Sequence, residues 1–240
     1  MRAVWIIATR ELQSFFDSLI AYILLTLFLG FSGFFTWMYG NDIFLTGQAS
    51  LRGFFGIAYW TLFFFAPALT MRLLAEERKT GTIEWLLTKP VTDRQVVLGK
   101  FFAALGLIIV SLLFTLPYVI TLANIGNLDQ GEIACGYLGL ILISASYISI
   151  GLYASSITNN QIVAFLLALF IGLFFHIIFG VIGDSSTGVI SQIFDTLSLS
   201  SHYESISRGV VDSRDLIYFL SITAIGLILS ELSLTKRNLN

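Results

Sequence analysis

Long apolar runs separated by short polar clusters fill the sequence from residue 18 onward, and their lengths set the first expectation. A bilayer's hydrocarbon core is about 30 Å thick, and a helix crosses it in roughly 20 residues. Runs without Asp, Glu, Lys or Arg occupy residues 18–41, 53–71 and 101–128. A further uncharged stretch, 133–183, is too long for one helix and is broken by Ser155, Ser156, Thr158, Asn159, Asn160 and Gln161. That break makes a fourth and a fifth span, and residues 216–234, with Glu231 near their end, make a sixth. Pro67 and Pro117 are expected to kink spans two and three.

Ahead of the first span the period changes. Trp5, Ala8, Leu12, Phe15 and Phe16 share one helical face, Arg10, Gln13, Ser14 and Asp17 lie opposite, and Ile6 breaks the pattern. This predicts an amphipathic helix in the membrane interface leading into span one; a straight cytoplasmic extension of that span is the plainer reading. The expected fold is an all-α integral membrane protein: six transmembrane helices preceded by an interfacial helix, with both termini cytoplasmic. It is one permease-like unit over 1–240, divided into the interfacial helix (1–17), spans one and two (18–75), a charged loop (76–100), spans three to five (101–182), an outer loop with short helices (183–215) and span six (216–235).

Composition sharpens this picture. The chain is 56% hydrophobic and 12% charged, whereas soluble domains carry about a quarter charged residues; much of the surface must therefore face lipid. Of the 13 Lys and Arg, Arg2, Arg10, Arg72, Arg78, Lys79, Lys89, Arg94, Lys100, Lys236 and Arg237 fall on the side of the termini and of the loop between spans two and three. Arg52, Arg208 and Arg214 fall on the other, and this asymmetry places the termini and that loop in the cytoplasm. The single Cys135 cannot form an internal disulfide, and with no Cys-x-x-Cys or Cys/His cluster no metal site is expected. Arg10, Glu11 and Asp17 interrupt the N-terminal apolar stretch and no small-residue cleavage site follows, so it does not read as a signal peptide.

The loop after span two is the most charged part of the chain, and its turn signals are legible. Gly81 permits a turn, Thr82 suits an N-cap, and Pro90 must end the short helix that Thr82 opens. Thr92 and Gln95 then form a capping box opening span three. The short helix presents Ile83, Leu86 and Leu87 beside Trp85, a composition that a merely solvated connector has no reason to carry.

The stretch Glu77-x-x-x-Gly81-Thr82-x-Glu84-x-Leu86-Leu87-x-x-Pro90-Val91, followed by Gly99-Lys100, resembles the signature of the type-2 ABC exporter permeases. The resemblance covers nearly the whole chain, and the segment His202-Tyr203-Glu204-x-x-x-Arg208-Gly209-Val210-Val211-Asp212-x-Arg214-Asp215 is most similar to the gliding-motility-associated and copper-enzyme-maturation permeases. It implies that Glu77, Thr80, Gly81, Thr82, Ile83, Glu84, Trp85, Leu86, Leu87 and Pro90 form a coupling helix docking on an ABC ATPase subunit. It also implies a second permease subunit, an auxiliary membrane or periplasmic protein, and a place in a bacterial cytoplasmic membrane, with no role for nucleic acid. No Gly-x-x-x-x-Gly-Lys-[Ser/Thr] occurs, since Arg94 stands where the first glycine belongs and Phe101 follows Lys100. ATP and Mg are therefore expected on the partner, and no cofactor on this chain.

In the outer loop, Val189, Ile190, Ile193, Phe194 and Leu197 suggest one amphipathic helix, while Ser201 and Glu204 suggest a capping box for a second that Gly209 ends. The resemblance implies that such helices help close the exit, making Ile193, Phe194, Glu204, Arg208 and Gly209 outer-gate candidates; a plain surface loop is the alternative. Small residues recur at Ala145 and Ser149, at Ala164, Ala168 and Gly172, and at Gly226 and Ser230, which suits either packing within one subunit or a dimer face. Glu231 is expected to pair with Lys236 or Arg237 at the interface. Two rivals come from other classes. One is an intramembrane serine protease with Ser32, in Gly30-Phe31-Ser32-Gly33, as nucleophile and His176 as base. The other is a secondary transporter, which would want an internal repeat that the chain does not display.

Overall fold

The computed structural model describes residues 2–38, 50–81 and 91–237. Among them every regular element is helical. Helix α1 (Arg2–Asp17) ends where Ser18 turns extended, and α2 (Leu19–Trp37) follows at once. α3 (Arg52–Thr70) runs through Pro67 and passes by a turn at 71–74 into the short α4 (Ala75–Thr80). α5 (Asp93–Leu113) opens on the expected capping box: Gln95 N–H donates to Thr92 Oγ1 at 3.3 Å and Thr92 N–H to Gln95 Oε1 at 3.2 Å. The helix breaks at 114–115, and α6 (Leu116–Ile125) restarts with Pro117 in its first turn, where the missing N–H costs no hydrogen bond.

α7 (Gln130–Ile157) is capped by Asp129 Oδ1, which accepts from Gly131 and Glu132 N–H at 2.8 and 3.3 Å. α8 (Gln161–Leu173) is capped by Asn160, so the polar cluster that breaks the uncharged run acts by ending one helix and starting the next. A π turn (Phe174–Ile178) joins α8 to α9 (Phe179–Ser185). Two short helices, α10 (Val189–Leu197) and α11 (Leu199–Ser207), precede α12 (Ser213–Arg237). Among the described residues, six helical stretches are long and apolar enough to cross a membrane: Leu19–Trp37, Arg52–Thr80, Asp93–Ile125, Gln130–Ile157, Gln161–Ser185 and Ser213–Lys236.

α7 is the hub, packing against α3, α5, α8, α11 and α12, while α1 lies along α5 and α2 along α3. Lipid supplies little hydrophobic drive between helices, so tight approach of small residues must hold them. A Cβ on Gly136 would stand 2.5 Å from the Phe55 ring, and one on Gly226 would stand 2.6 Å from Ser149 Oγ; Gly151 is closed off by Thr70 in the same way. Ala164 and Ala168 are buried and Gly172 abuts Phe63, so the small-residue faces at Ser149, Ala164, Ala168, Gly172 and Gly226 serve packing within this chain.

Two details differ from the local sequence reading. The cap of α11 is Ser198, whose hydroxyl accepts from Ser201 N–H, because Ser198 is the residue with extended backbone (φ −81°, ψ 121°) that a cap requires. The last span starts at Ser213, ahead of the apolar run. Glu231 forms no ion pair with Lys236 and borders a cleft with Arg94 on α5, while the Arg237 side chain, the other expected partner, lies outside the described residues.

Candidate functional site

At the end of the bundle that gathers α1, α4, the start of α5 and the end of α12, one buried cation ties three elements together. Lys100 sits in the second turn of α5 with its side chain 1% exposed; Nζ donates to Glu77 Oε1 on α4 at 2.7 Å and to Glu11 Oε1 on α1 at 3.2 Å. An ammonium carries three donors and no acceptor, so two carboxylates from separate helices can share it. Next to it, a Cβ on Gly99 would meet Ile7 Cγ2 at 2.6 Å and the Val4 carbonyl at 3.2 Å. The absence of a side chain at 99 thus lets α1 lie close enough for Glu11 to reach Lys100.

Two further contacts fix this end. Arg72 donates to Ser18 Oγ at 3.3 Å and stands 5.2 Å over the Phe15 ring, fastening the α1–α2 corner to the end of α3. Ser155, at the end of α7, accepts from the N–H groups of Leu74 and Ala75 at 3.1 and 3.0 Å and donates to Met71 O at 3.0 Å. A hydroxyl from another helix therefore caps α4, whose own flanking residue supplies no side-chain cap. A polar cleft of about 370 Å³ lies between α1, α4 and α5, bordered by Arg10, Glu76 and Thr80.

The structure places three of the expected docking residues. Glu77 is in the Lys100 knot, Thr80 closes α4 with its hydroxyl donating to Glu76 O at 2.9 Å, and Gly81 terminates the helix at φ +71°, a left-handed conformation that suits glycine. Thr82, Ile83, Glu84, Trp85, Leu86, Leu87 and Pro90 lie outside the described residues. Glu11, Arg72, Lys100 and Ser155 were not singled out as site residues. Lys100 entered the sequence reading through the Gly99-Lys100 pair and as a charge at the head of an apolar run, neither of which names its partners, 23 and 89 positions away.

At the opposite end Arg52 pairs with Glu132 at 2.7 Å, and a cleft of about 650 Å³ opens between α3, α7 and α11. Glu204 and Arg208 border it beside Tyr59 and Trp60, and Gly209, at φ +92°, ends α11 against Glu132. Ile193 is exposed on α10, and Phe194 packs 5.7 Å from Phe179, away from that cleft. The outer candidates therefore split into two groups. His202 Nδ1 meets Asp215 Oδ1 at 2.6 Å, holding α11 to the start of α12.

Ser32 and His176 are engaged separately. Ser32 Oγ donates to Leu29 O at 3.3 Å within α2. His176, in the π turn, hydrogen-bonds Tyr147 through Nδ1, stacks on Tyr59 at 4.3 Å and on Phe63 at 4.5 Å, and accepts Ser200 Oγ at its carbonyl. No hydrogen bond joins the two, so no serine–histidine dyad is formed. Among the described residues no cluster of His, Cys, Asp or Glu could hold a metal.

No curated protein matches the chain. The family described as ABC-2 family transporter protein matches residues 5–237. Six spanning-length helices, a buried charge knot at one end and a match over nearly the whole length agree, and the chain belongs to the ABC-2 transporter family as a membrane permease subunit of an ABC transporter.

Proposed function

We propose that this permease converts ATP hydrolysis by a separate ABC ATPase subunit into movement of substrate out across a bacterial cytoplasmic membrane, and that it does so paired with a second permease subunit. ATP and Mg reside on the ATPase, which docks on the segment from Glu77 to Pro90. The observation that carries the reading is the Lys100 knot. It joins α4, which leads directly into that segment, to α1 and to α5, so a push on α4 is delivered to two further elements instead of being lost in a hinge. The basic bias of this end agrees, since ten of the 13 Lys and Arg fall there. Outward opening would then act on the cleft between α3, α7 and α11, where Glu204, Arg208 and Gly209 stand as gate residues and α10, with Ile193 and Phe194, covers α9.

The test is co-purification. Leu86→Asp places a charge in the apolar face expected to meet the ATPase, and the expected outcome is loss of the co-eluting ATPase with normal membrane insertion of the permease. Recovery of the ATPase at the unsubstituted yield would refute the docking assignment.

A further inference from the structure

A cleft of about 290 Å³ lies between α5 and α12 at the basic end. α5 begins at this end and α12 finishes at it, so each brings a charged residue to the rim close to its terminus, Arg94 on α5 and Glu231 on α12. The two are opposite in charge and border one space, yet they form no ion pair with each other. Nearer the water, Thr235 Oγ1 donates to Asp93 Oδ2 at 3.1 Å and fastens the same two helices together. The outer cleft makes the contrast, since Arg52 and Glu132 on its rim meet at 2.7 Å and satisfy each other.

Toward the bilayer the walls turn apolar. Val97 and Leu98 lie a turn deeper than Arg94 on α5, and the exposed Ile228 and Ala224 follow below Glu231 on α12. Ala224 comes seven residues before Glu231, so it sits about 10 Å deeper along the axis at 1.5 Å per residue. A ligand matching this cleft carries one negative and one positive group side by side above an apolar tail. The planar guanidinium of Arg94 suits a phosphate, which it can hold through two parallel N–H donors. The carboxylate of Glu231 only accepts, so it suits a cation that donates. Phosphatidylethanolamine has both on one headgroup, a phosphodiester and a primary ammonium separated by two carbons. The trimethylated nitrogen of phosphatidylcholine has no N–H to give, and phosphatidylglycerol has no cation.

We propose that the cleft between α5 and α12 binds phosphatidylethanolamine of the inner leaflet, with the phosphate on Arg94, the ammonium on Glu231 and an acyl chain along Leu98, Ile228 and Ala224. The site needs only this chain and a bilayer, so it stands independently of the transport reading. A bound lipid bridges the start of α5 to the end of α12 through two charges that the helices themselves leave apart.

The full chain is placed in vesicles of phosphatidylcholine and phosphatidylglycerol with a trace of phosphatidylethanolamine carrying a diazirine in its acyl chain. Matching phosphatidylcholine and phosphatidylglycerol probes are run in parallel, and the labelled peptides are identified after illumination. The phosphatidylethanolamine probe is expected to label peptides spanning 97–98 and 224–228 in excess of both others. Labelling around the exposed Ile217 and Leu220, at the other end of α12, is expected to be equal for all three and unchanged by substitution, which reports normal folding and insertion. Glu231→Gln lowers the excess over phosphatidylcholine about five-fold, the upper end for an exposed ion pair. Arg94→Gln, which releases the phosphate that sets the ammonium in place, lowers it too, and Arg94→Lys preserves it. Equal labelling of the cleft by the phosphatidylethanolamine probe and either other probe, or an excess that Glu231→Gln or Arg94→Gln leaves intact, overturns the proposal. Loss of the excess on adding millimolar glycerophosphoethanolamine also overturns it, because the cleft would then be reading a free headgroup and not a membrane lipid.

Discussion

Lys100 carries the largest single-residue consequence. An ammonium almost wholly removed from water is tolerated only with close partners, and removing one member of a buried pair typically costs about 3–5 kcal/mol. Lys100→Met would deprive Glu11 and Glu77 of the buried cation they share, so a loss in that range is expected, read as a lower midpoint in detergent unfolding followed by tryptophan fluorescence. Glu11→Gln should cost less, because the shorter 2.7 Å contact to Glu77 survives. An unchanged midpoint for Lys100→Met would mean that the knot holds nothing together. None of this pairing was legible along the chain. A lone cation at the head of an apolar run is visible to any reading, but which acids meet it depends on how α1 and α4 fold back on α5, and hydropathy does not encode that.

Elements at the same end depend on neighbours for their ends. α4 has only six residues and no side-chain cap of its own, too short to persist alone. Its first amides are satisfied by Ser155, and leaving such groups unpaired costs about 1–3 kcal/mol. Ser155→Ala should therefore speed hydrogen exchange across 75–80 roughly ten-fold, with little change in α7; exchange at the original rate would show that α4 is held some other way. Gly99→Val tests the neighbouring contact. The added side chain meets Ile7 and the Val4 carbonyl, so α1 must shift at a cost of about 1–3 kcal/mol. The reporter is Trp5, stacked 5.9 Å from Phe102 in the intact structure, whose emission should move when α1 lifts; an unmoved spectrum would place the strain elsewhere. The Thr92–Gln95 cap was readable because both partners lie within one turn. At α11 the sequence pattern pointed to Ser201, whereas Ser198 three residues earlier holds the cap, and only backbone conformation decides between them.

Across the whole molecule, the six spans were readable because their lengths are set by bilayer thickness, a constraint that acts on each segment by itself. Their packing was not, because a helix that is apolar on all sides has no stripe to name its neighbour. α2 and α7 look alike by hydropathy, yet α7 is the hub; the one local trace of that is its supply of Gly and Ser, at Gly136, Gly151, Ser146 and Ser149, where neighbouring helices approach closely. The hydrogen bonds add what hydropathy omits. Lys100, Ser155 and Thr235 draw α1, α4, α5, α7 and α12 together at one end, while Arg52, Glu132, His202 and Asp215 gather at the other. These two sets must face opposite compartments if the helices between them cross a bilayer, and the excess of Lys and Arg orients the first set inward. In a Cys135→Ala background, Thr80→Cys should react with a membrane-impermeant maleimide only after the inner face is opened, and Ser207→Cys should react in intact cells. Reaction of Thr80→Cys in intact cells would put the docking segment on the wrong side for any ATP-driven motor, and the proposed function would fall with it.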